Sequence, residues 1–249
     1  APQSPEYVFE LCETLIQRGD RPRALALLKE LEGRAGDDGD ILASVADFYE
    51  RVEEKDKAMA VLQRLAGTTS GDPTFLIDLG DRYFQAGDKK KALDTWAKVK
   101  PLMKNEAKAA YALGQVYLDH DMPEDAITSL REAVQLDPNS NQYKKGLALA
   151  LERTAAGSPL ANDRFGEAIV IWQDLLQRTS ADTTGTKKDD GLAREARTHI
   201  VSLWSVTKEL ASKVGPLKER FDATPPDLEA GRLLAEVAAV RLSAPSSAR

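Results

Sequence analysis

Four alanines, Ala24, Ala58, Ala92 and Ala126, stand at a constant step: 58−24, 92−58 and 126−92 are each 34. A fixed period of this length means that one structural unit is copied and stacked, because a unit so small can bury its apolar face only against its neighbours. The two clearest copies read Leu79, Gly80, Tyr83, Gly87, Ala92, Trp96 and then Leu113, Gly114, Tyr117, Ala126, Leu130, Ala133, Pro138. Each copy holds two apolar runs at helical spacing with a turn between them, so the unit is a helical hairpin. Ala and Leu dominate, β-branched residues are sparse and only 6% of residues are aromatic, which favours helix over sheet throughout.

This order of residue types resembles the tetratricopeptide repeat. The resemblance implies an all-α, right-handed superhelical solenoid of stacked antiparallel helix pairs, about six hairpins plus a terminal helix, that binds proteins. It covers residues 5–177 in good register and the remainder loosely. The aromatic that the family carries near the start of each hairpin is replaced here by Val8, Leu42, Leu76 and Ala110. Co-chaperones of the family hold an acidic peptide with lysine, asparagine and arginine on one stripe. The equivalent places here carry Phe9, Glu13, Asp47, Ile77 and Asp81, so that basic clamp is absent.

In chain order, the first hairpin pairs Pro5–Gln17 with a helix entered at Pro22. After the polar break from Gly33 to Gly39, Asp40 is expected to cap the next helix, and Asp72-Pro73 opens the third hairpin. The fourth spans roughly Lys104 to Leu136. The next ladder alanine is Ala168, and 168−126 is 42, an excess of 8 over the period. The excess falls near 154–164 and is expected to lengthen the loop or the helix ends, with an exposed loop of no role as the plain reading. Residues 1–178 therefore read as the regular solenoid, 179–191 as a polar linker loop, and 192–249 as a degenerate sixth repeat, a terminal or capping helix and a disordered tail. In that last part a long helix, Leu192–Val214, precedes a short arm, Pro216–Phe221, and a final helix, Asp227–Leu242. The final helix is apolar nearly all round, so it docks as a cap, is followed by more chain, or supports self-association.

Composition and motifs exclude most chemistry. A net charge of −6 disfavours broad phosphate binding, so no nucleic-acid partner is expected. No apolar run approaches the roughly 20 residues of a membrane span, and the protein reads as soluble, with the cytoplasm favoured over the periplasm or export. The chain begins at Ala1, as a mature product or an excised fragment would. His120, in Asp119-His120-Asp121-Met122-Pro123-Glu124-Asp125, lies in the turn of hairpin four, where acidic residues cap the coming helix. Asp37-Asp38-Gly39-Asp40 lacks calcium-loop spacing, and Thr184-Gly185-Thr186-Lys187-Lys188 lacks the earlier glycine of a phosphate loop. Cys12 takes the small-residue place of Ala46, Gly80 and Gly114, and His199 sits on an apolar helix as a boundary residue. No catalytic residue, cofactor or metal ligand is expected, and the reading is not an enzyme.

Function is then expected on the concave stripe of the first-arm helices. Ile77, Asp81 and Phe84 define it in hairpin three. Shifting by 34 gives Ala43, Asp47 and Glu50; Phe9, Glu13 and Ile16; Tyr111, Gln115 and Leu118; and, in the fifth hairpin, Lys145, Leu149 and Glu152. An acidic, aromatic-studded groove of this kind suits a basic or amphipathic peptide or protein segment. The competing readings are a self-assembling homo-oligomer and a docking or regulatory domain of a larger protein.

Overall fold

The structure is a computed structural model that describes residues 4–67, 72–180 and 190–243. Fourteen α-helices and no strands occur among these residues, and they group into two compact units, residues 1–109 and 110–249.

The first unit contains α1 (Pro5–Gln17), α2 (Arg21–Arg34), α3 (Gly39–Arg51), α4 (Lys55–Ala66), α5 (Pro73–Gln85), α6 (Lys89–Trp96) and the single turn α7 (Val99–Leu102). Helix entries are made by short acceptor side chains. Ser4, Asp20, Asp38, Asp72 and Asp88 accept the backbone N–H of Tyr7, Arg23, Ile41, Thr74 and Lys91 or their near equivalents in the first turn. The cap of α3 is therefore Asp38, and Asp40, the expected cap, lies inside the first turn because Gly39 already has helical geometry.

Helix exits repeat as strictly as the alanines do. Gly19, Glu53, Gly87 and Asp121 all have positive φ, at +77, +65, +82 and +52°, again 34 residues apart. After each, the next amide reaches back five residues: Asp20 N to Leu15 O at 2.8 Å, Glu54 N to Tyr49 O at 2.8 Å, Asp88 N to Tyr83 O at 2.9 Å and Met122 N to Tyr117 O at 2.9 Å. This left-handed exit satisfies the last carbonyls and reverses the chain within three or four residues, which forces the second arm antiparallel to the first. Only two of the four positions hold the glycine that such a turn favours.

The ladder alanines sit where helices come closest: Ala24, Ala58, Ala92, Ala126 and Ala168 are at most 1% exposed. The small first-arm residue opposite matters equally. An ideal Cβ on Gly80 would fall inside the indole of Trp96, and one on Gly114 would lie 2.6 Å from Leu130 Cγ, so glycine is what lets a large second-arm residue pack there. Cys12, in the same register position, is fully buried, with its thiol 3.8 Å from the Ala24 carbonyl that accepts from it; burial pushes the thiol pKa up.

The second unit begins within α8 (Glu106–Asp119) and continues through α9 (Pro123–Leu136), α10 (Asn141–Ala155), α11 (Ala161–Ser180), α12 (Asp190–Val206), α13 (Leu210–Asp222) and α14 (Leu228–Ser243). Trp172, Leu175, Leu151, Leu130 and Ile200 fill its core. The eight extra residues do not make a long loop. They extend α11 to 20 residues and leave only 156–160 outside helix. Arg164 on this extension is 5% exposed; it donates to the Thr154 carbonyl at 2.6 Å and pairs with Glu124, tying α11 back onto α10 and α9.

Thr179-Ser180 and Asp190-Gly191, assigned to a linker on sequence grounds, are helical, and the rest of that stretch lies outside the described residues, as does the tail after Ser243. The single helix expected from Leu192 to Val214 is two. It breaks at Lys208, φ +63°, where the Glu209 amide reaches back to the Trp204 carbonyl at 2.8 Å, and α13 then runs through Pro216. Helix α14 docks on α12 and α13: Asp227 caps it through the amides of Glu229 and Ala230, both at 3.0 Å, and Ala230, Leu233 and Val237 are buried.

Candidate functional site

In the first unit the expected stripe holds Phe9 and Glu13 on α1, Asp47 and Glu50 on α3, and Ile77, Asp81 and Phe84 on α5. Phe9 stacks on Phe48, with ring centroids 5.2 Å apart and planes at 13°. Glu13 meets Arg51 at 2.5 Å, and the Arg51 guanidinium also lies 4.7 Å over the Phe48 ring. Arg51 beside Glu13 holds its carboxyl below the ordinary glutamate value. Arg82 on α5 reaches back to α3, 3.5 Å from Asp47 and in contact with Glu50. Asp81 and the Ile77 carbonyl each accept from the Trp96 indole at 3.2 Å, and Phe84 packs on that ring at 5.8 Å.

Much of the stripe is therefore engaged in joining one hairpin to the next. It remains acidic: Glu13, Asp47, Glu50, Asp78 and Asp81 are five carboxylates beside two guanidiniums, Arg51 and Arg82. Asp78, which sequence reasoning passed over, has its carboxyl pKa raised, first by burial and then by the charges of Asp81, Asp47 and Asp72. Phe48 and Arg82 were also missed. The signal for them was available, since 82−48 is 34 and both stand in the column directly beside the stripe.

In the second unit the same register positions line a cleft of about 400 Å³. Tyr111, Gln115 and Leu118 come from α8, and Lys145, Leu149 and Arg153 from α10. Gly146 makes room for Tyr111: an ideal Cβ there would lie 2.6 Å from Tyr111 Cε2, and the tyrosine meets Tyr143 with ring centroids 5.1 Å apart. Arg153 donates to the Leu118 carbonyl and Lys145 pairs with Glu195 of α12 at 2.7 Å. Glu152 is committed elsewhere. It accepts from the Trp172 indole at 2.5 Å and bonds His199 Nδ1 at 2.9 Å, while the imidazole stacks on Trp172 at 4.4 Å and 12°. That bond to Glu152 raises the His199 pKa against the opposing effect of burial.

The arrangement offers carboxylates, amide and cationic donors and aromatic faces on adjacent turns, which can hold an extended or helical polypeptide. Among the described residues no three histidine, cysteine or acidic side chains converge as metal ligands, and no helix is long and apolar enough to cross a membrane.

Residues 107–140 match the sequence profile of the tetratricopeptide repeat. No curated protein matches the chain in sequence. Among solved structures, the chain is similar to PilF of Pseudomonas aeruginosa, at 17% identity over 93% of this chain and 97% of that one, with a TM-score of 0.44. It is also similar to a tetratricopeptide repeat protein of Parabacteroides merdae, at 14% identity over 96% and 87%, with a TM-score of 0.46.

Proposed function

We propose that this chain, a tetratricopeptide-repeat protein, is a non-catalytic scaffold that binds a basic or amphipathic segment of another protein. The observation that carries the reading is the 400 Å³ cleft lined by Tyr111 and Gln115 of one first-arm helix and by Lys145 and Leu149 exactly one period later, since 145−111 and 149−115 are both 34. A cleft generated by the repeat itself is a recess that the core does not need filled, and its mixed polar and apolar lining suits a peptide with alternating side chains. The basic preference rests on the first unit, where five carboxylates outnumber two guanidiniums. Asp47 is the side chain best placed to meet a cation from solvent, being 73% exposed at its 3.5 Å pair with Arg82.

Fluorescence anisotropy with two labelled amphipathic peptides, one alternating lysine with leucine and one glutamate with leucine, tests this. The lysine peptide is expected to bind at least about tenfold more tightly, or ~1.4 kcal/mol, with the preference shrinking in high salt. Leu149→Lys in the cleft is expected to weaken it by a similar factor, and Asp47→Lys in the first unit to reduce the preference for lysine over glutamate. Asp81 and Phe84 are avoided as test positions because they support Trp96. Equal affinity for both peptides overturns the basic preference, and unchanged affinity in both variants overturns the binding face.

A second reading is self-association through α14, favoured by the exposure of Leu228 and Leu242 at 63% and 87%. Sedimentation across concentration tests it, with Leu242→Lys expected to abolish any dimer.

A further inference from the structure

The second unit has a cavity that the repeat pattern does not explain. It measures about 640 Å³ and lies among α11, α12, α13 and α14, on residues other than those of the cleft. It exists because α13, redirected by the left-handed turn at Lys208, buries only Leu217 instead of lying closely along α12 as a second arm would. Leu176, Ile200, Trp204, Pro216, Leu217 and Leu233 form apolar walls.

Trp204 is the informative wall. It is 4% exposed, and its indole N–H has no acceptor. The other two tryptophans do: Trp96 donates to Asp81 and the Ile77 carbonyl, and Trp172 to Glu152. That nitrogen is itself closed to solvent, so the cavity meets other atoms of Trp204 and an occupant's polar group must be held elsewhere. Charge says what that group is. The Lys213 ammonium stands 5.8 Å over the Trp204 ring and Arg220 also lines the cavity. Their present partners, Glu209 at 2.8 Å and Asp227 at 2.6 Å, do not line the cavity, and Lys213 and Arg220 are 38% and 57% exposed, so both cations can turn to a new anion at little cost. The lining carboxylate, Glu229, is already clamped by Arg197 at 2.8 Å and Arg232 at 3.0 Å.

We propose that this cavity binds a small amphiphilic carboxylate of the acyl type, its chain against the apolar walls and its carboxylate facing Lys213 and Arg220. The volume is that of a site for one small molecule. The proposal does not depend on the peptide cleft.

The test is a titration of the full chain with sodium decanoate, followed by the three indole N–H signals in NMR, with 1-decanol and a short peptide ending in leucine as comparisons. Decanoate is expected to shift the Trp204 signal, identified by its loss in Trp204→Phe, and to leave those of Trp96 and Trp172 in place. Decanol is expected to bind at least tenfold more weakly. Lys213→Gln and Arg220→Gln are each expected to weaken decanoate by about tenfold; both changes are at side chains well exposed to solvent, so the fold is kept. An unmoved Trp204 signal up to the solubility limit overturns the site. Equal binding of decanol, or wild-type affinity in Lys213→Gln, overturns the carboxylate role, and binding of the peptide without decanoate overturns the acyl class.

Discussion

The stripe of the first unit and the cleft of the second are built from the same places in the same repeat, yet they offer different surfaces. In the first, carboxylates on one helix are met by arginines on the next, Glu13 by Arg51 and Asp47 with Glu50 by Arg82. In the second, Gln115 and Leu149 stand in the register places of Glu13 and Asp47 and an open recess remains, with Lys145 and Arg153 in its lining. A repeat fixes where side chains point, and the residue type at each place then decides whether the position cements neighbouring hairpins or stays available to a ligand. The units also differ beneath the surface. The first follows the 34-residue step without interruption, whereas the second absorbs a longer α11 and an irregular α13 and depends on Trp172, Glu152 and His199 to join α10, α11 and α12.

The largest expected effect tests whether the units are energetically separate. Trp172→Ala removes a fully buried ring and should cost about 3–5 kcal/mol. Hydrogen exchange should report this loss in α10 to α12 and leave α2 to α4 protected. Equal loss in both places would mean that the two units open as one.

Gly80→Ala sharpens the packing side of the comparison. The added methyl falls on Trp96, so a loss of about 1–3 kcal/mol is expected in urea titration. Gly33→Ala is the control, because nothing lies within 4 Å of a Cβ there.

Smaller and opposite in sign is the effect of relieving the left-handed exits. Glu53→Gly in the first unit and Asp121→Gly in the second should each stabilise by about 0.5–1 kcal/mol, the saving in backbone strain less the extra freedom of glycine when unfolded. Glu53→Gly should gain the less of the two, since it also gives up the 2.9 Å pair with Arg21. Calorimetry of both variants checks the order.

The smallest effect is pH dependence confined to the second unit, which holds both histidines. The Glu152 bond raises the His199 pKa above its unfolded value, so the folded state favours the protonated ring. Its contribution is complete below about pH 6.5 and is lost as the pH rises through the higher folded pKa. The groups facing the ring are Glu152 and Lys145 on α10, Trp172 on α11 and Glu195 on its own helix. His199→Gln should flatten the slope of stability in that window; an unchanged slope assigns it elsewhere.

The hairpins were legible because burial and side-chain size are local and periodic. Small residues every 34 positions mark the close approaches, and Ala24, Ala58, Ala92, Ala126 and even the displaced Ala168 all lie in the core. The directions of the first-arm side chains followed from the same period, which is why Tyr111, Gln115, Lys145 and Leu149 could be grouped before any coordinates. Fates of charges were not legible. Glu13 and Arg51 are 38 residues apart and Arg82 and Asp47 35, distances along the chain at which pairing depends on how two hairpins stack. The break at Lys208 was hidden because an apolar pattern continues across it and no glycine marks the left-handed residue.

By itself, then, the sequence determined a set of α-hairpins and the residues at their closest contacts, since each is a property of composition and spacing. Tertiary structure alone decided which carboxylates are held by arginines, how the eight extra residues became helix, and that Trp204, unlike Trp96 and Trp172, is left without an acceptor beside a cavity. Those outcomes rest on distances of a few ångströms between side chains far apart in sequence, and only the packed chain sets them.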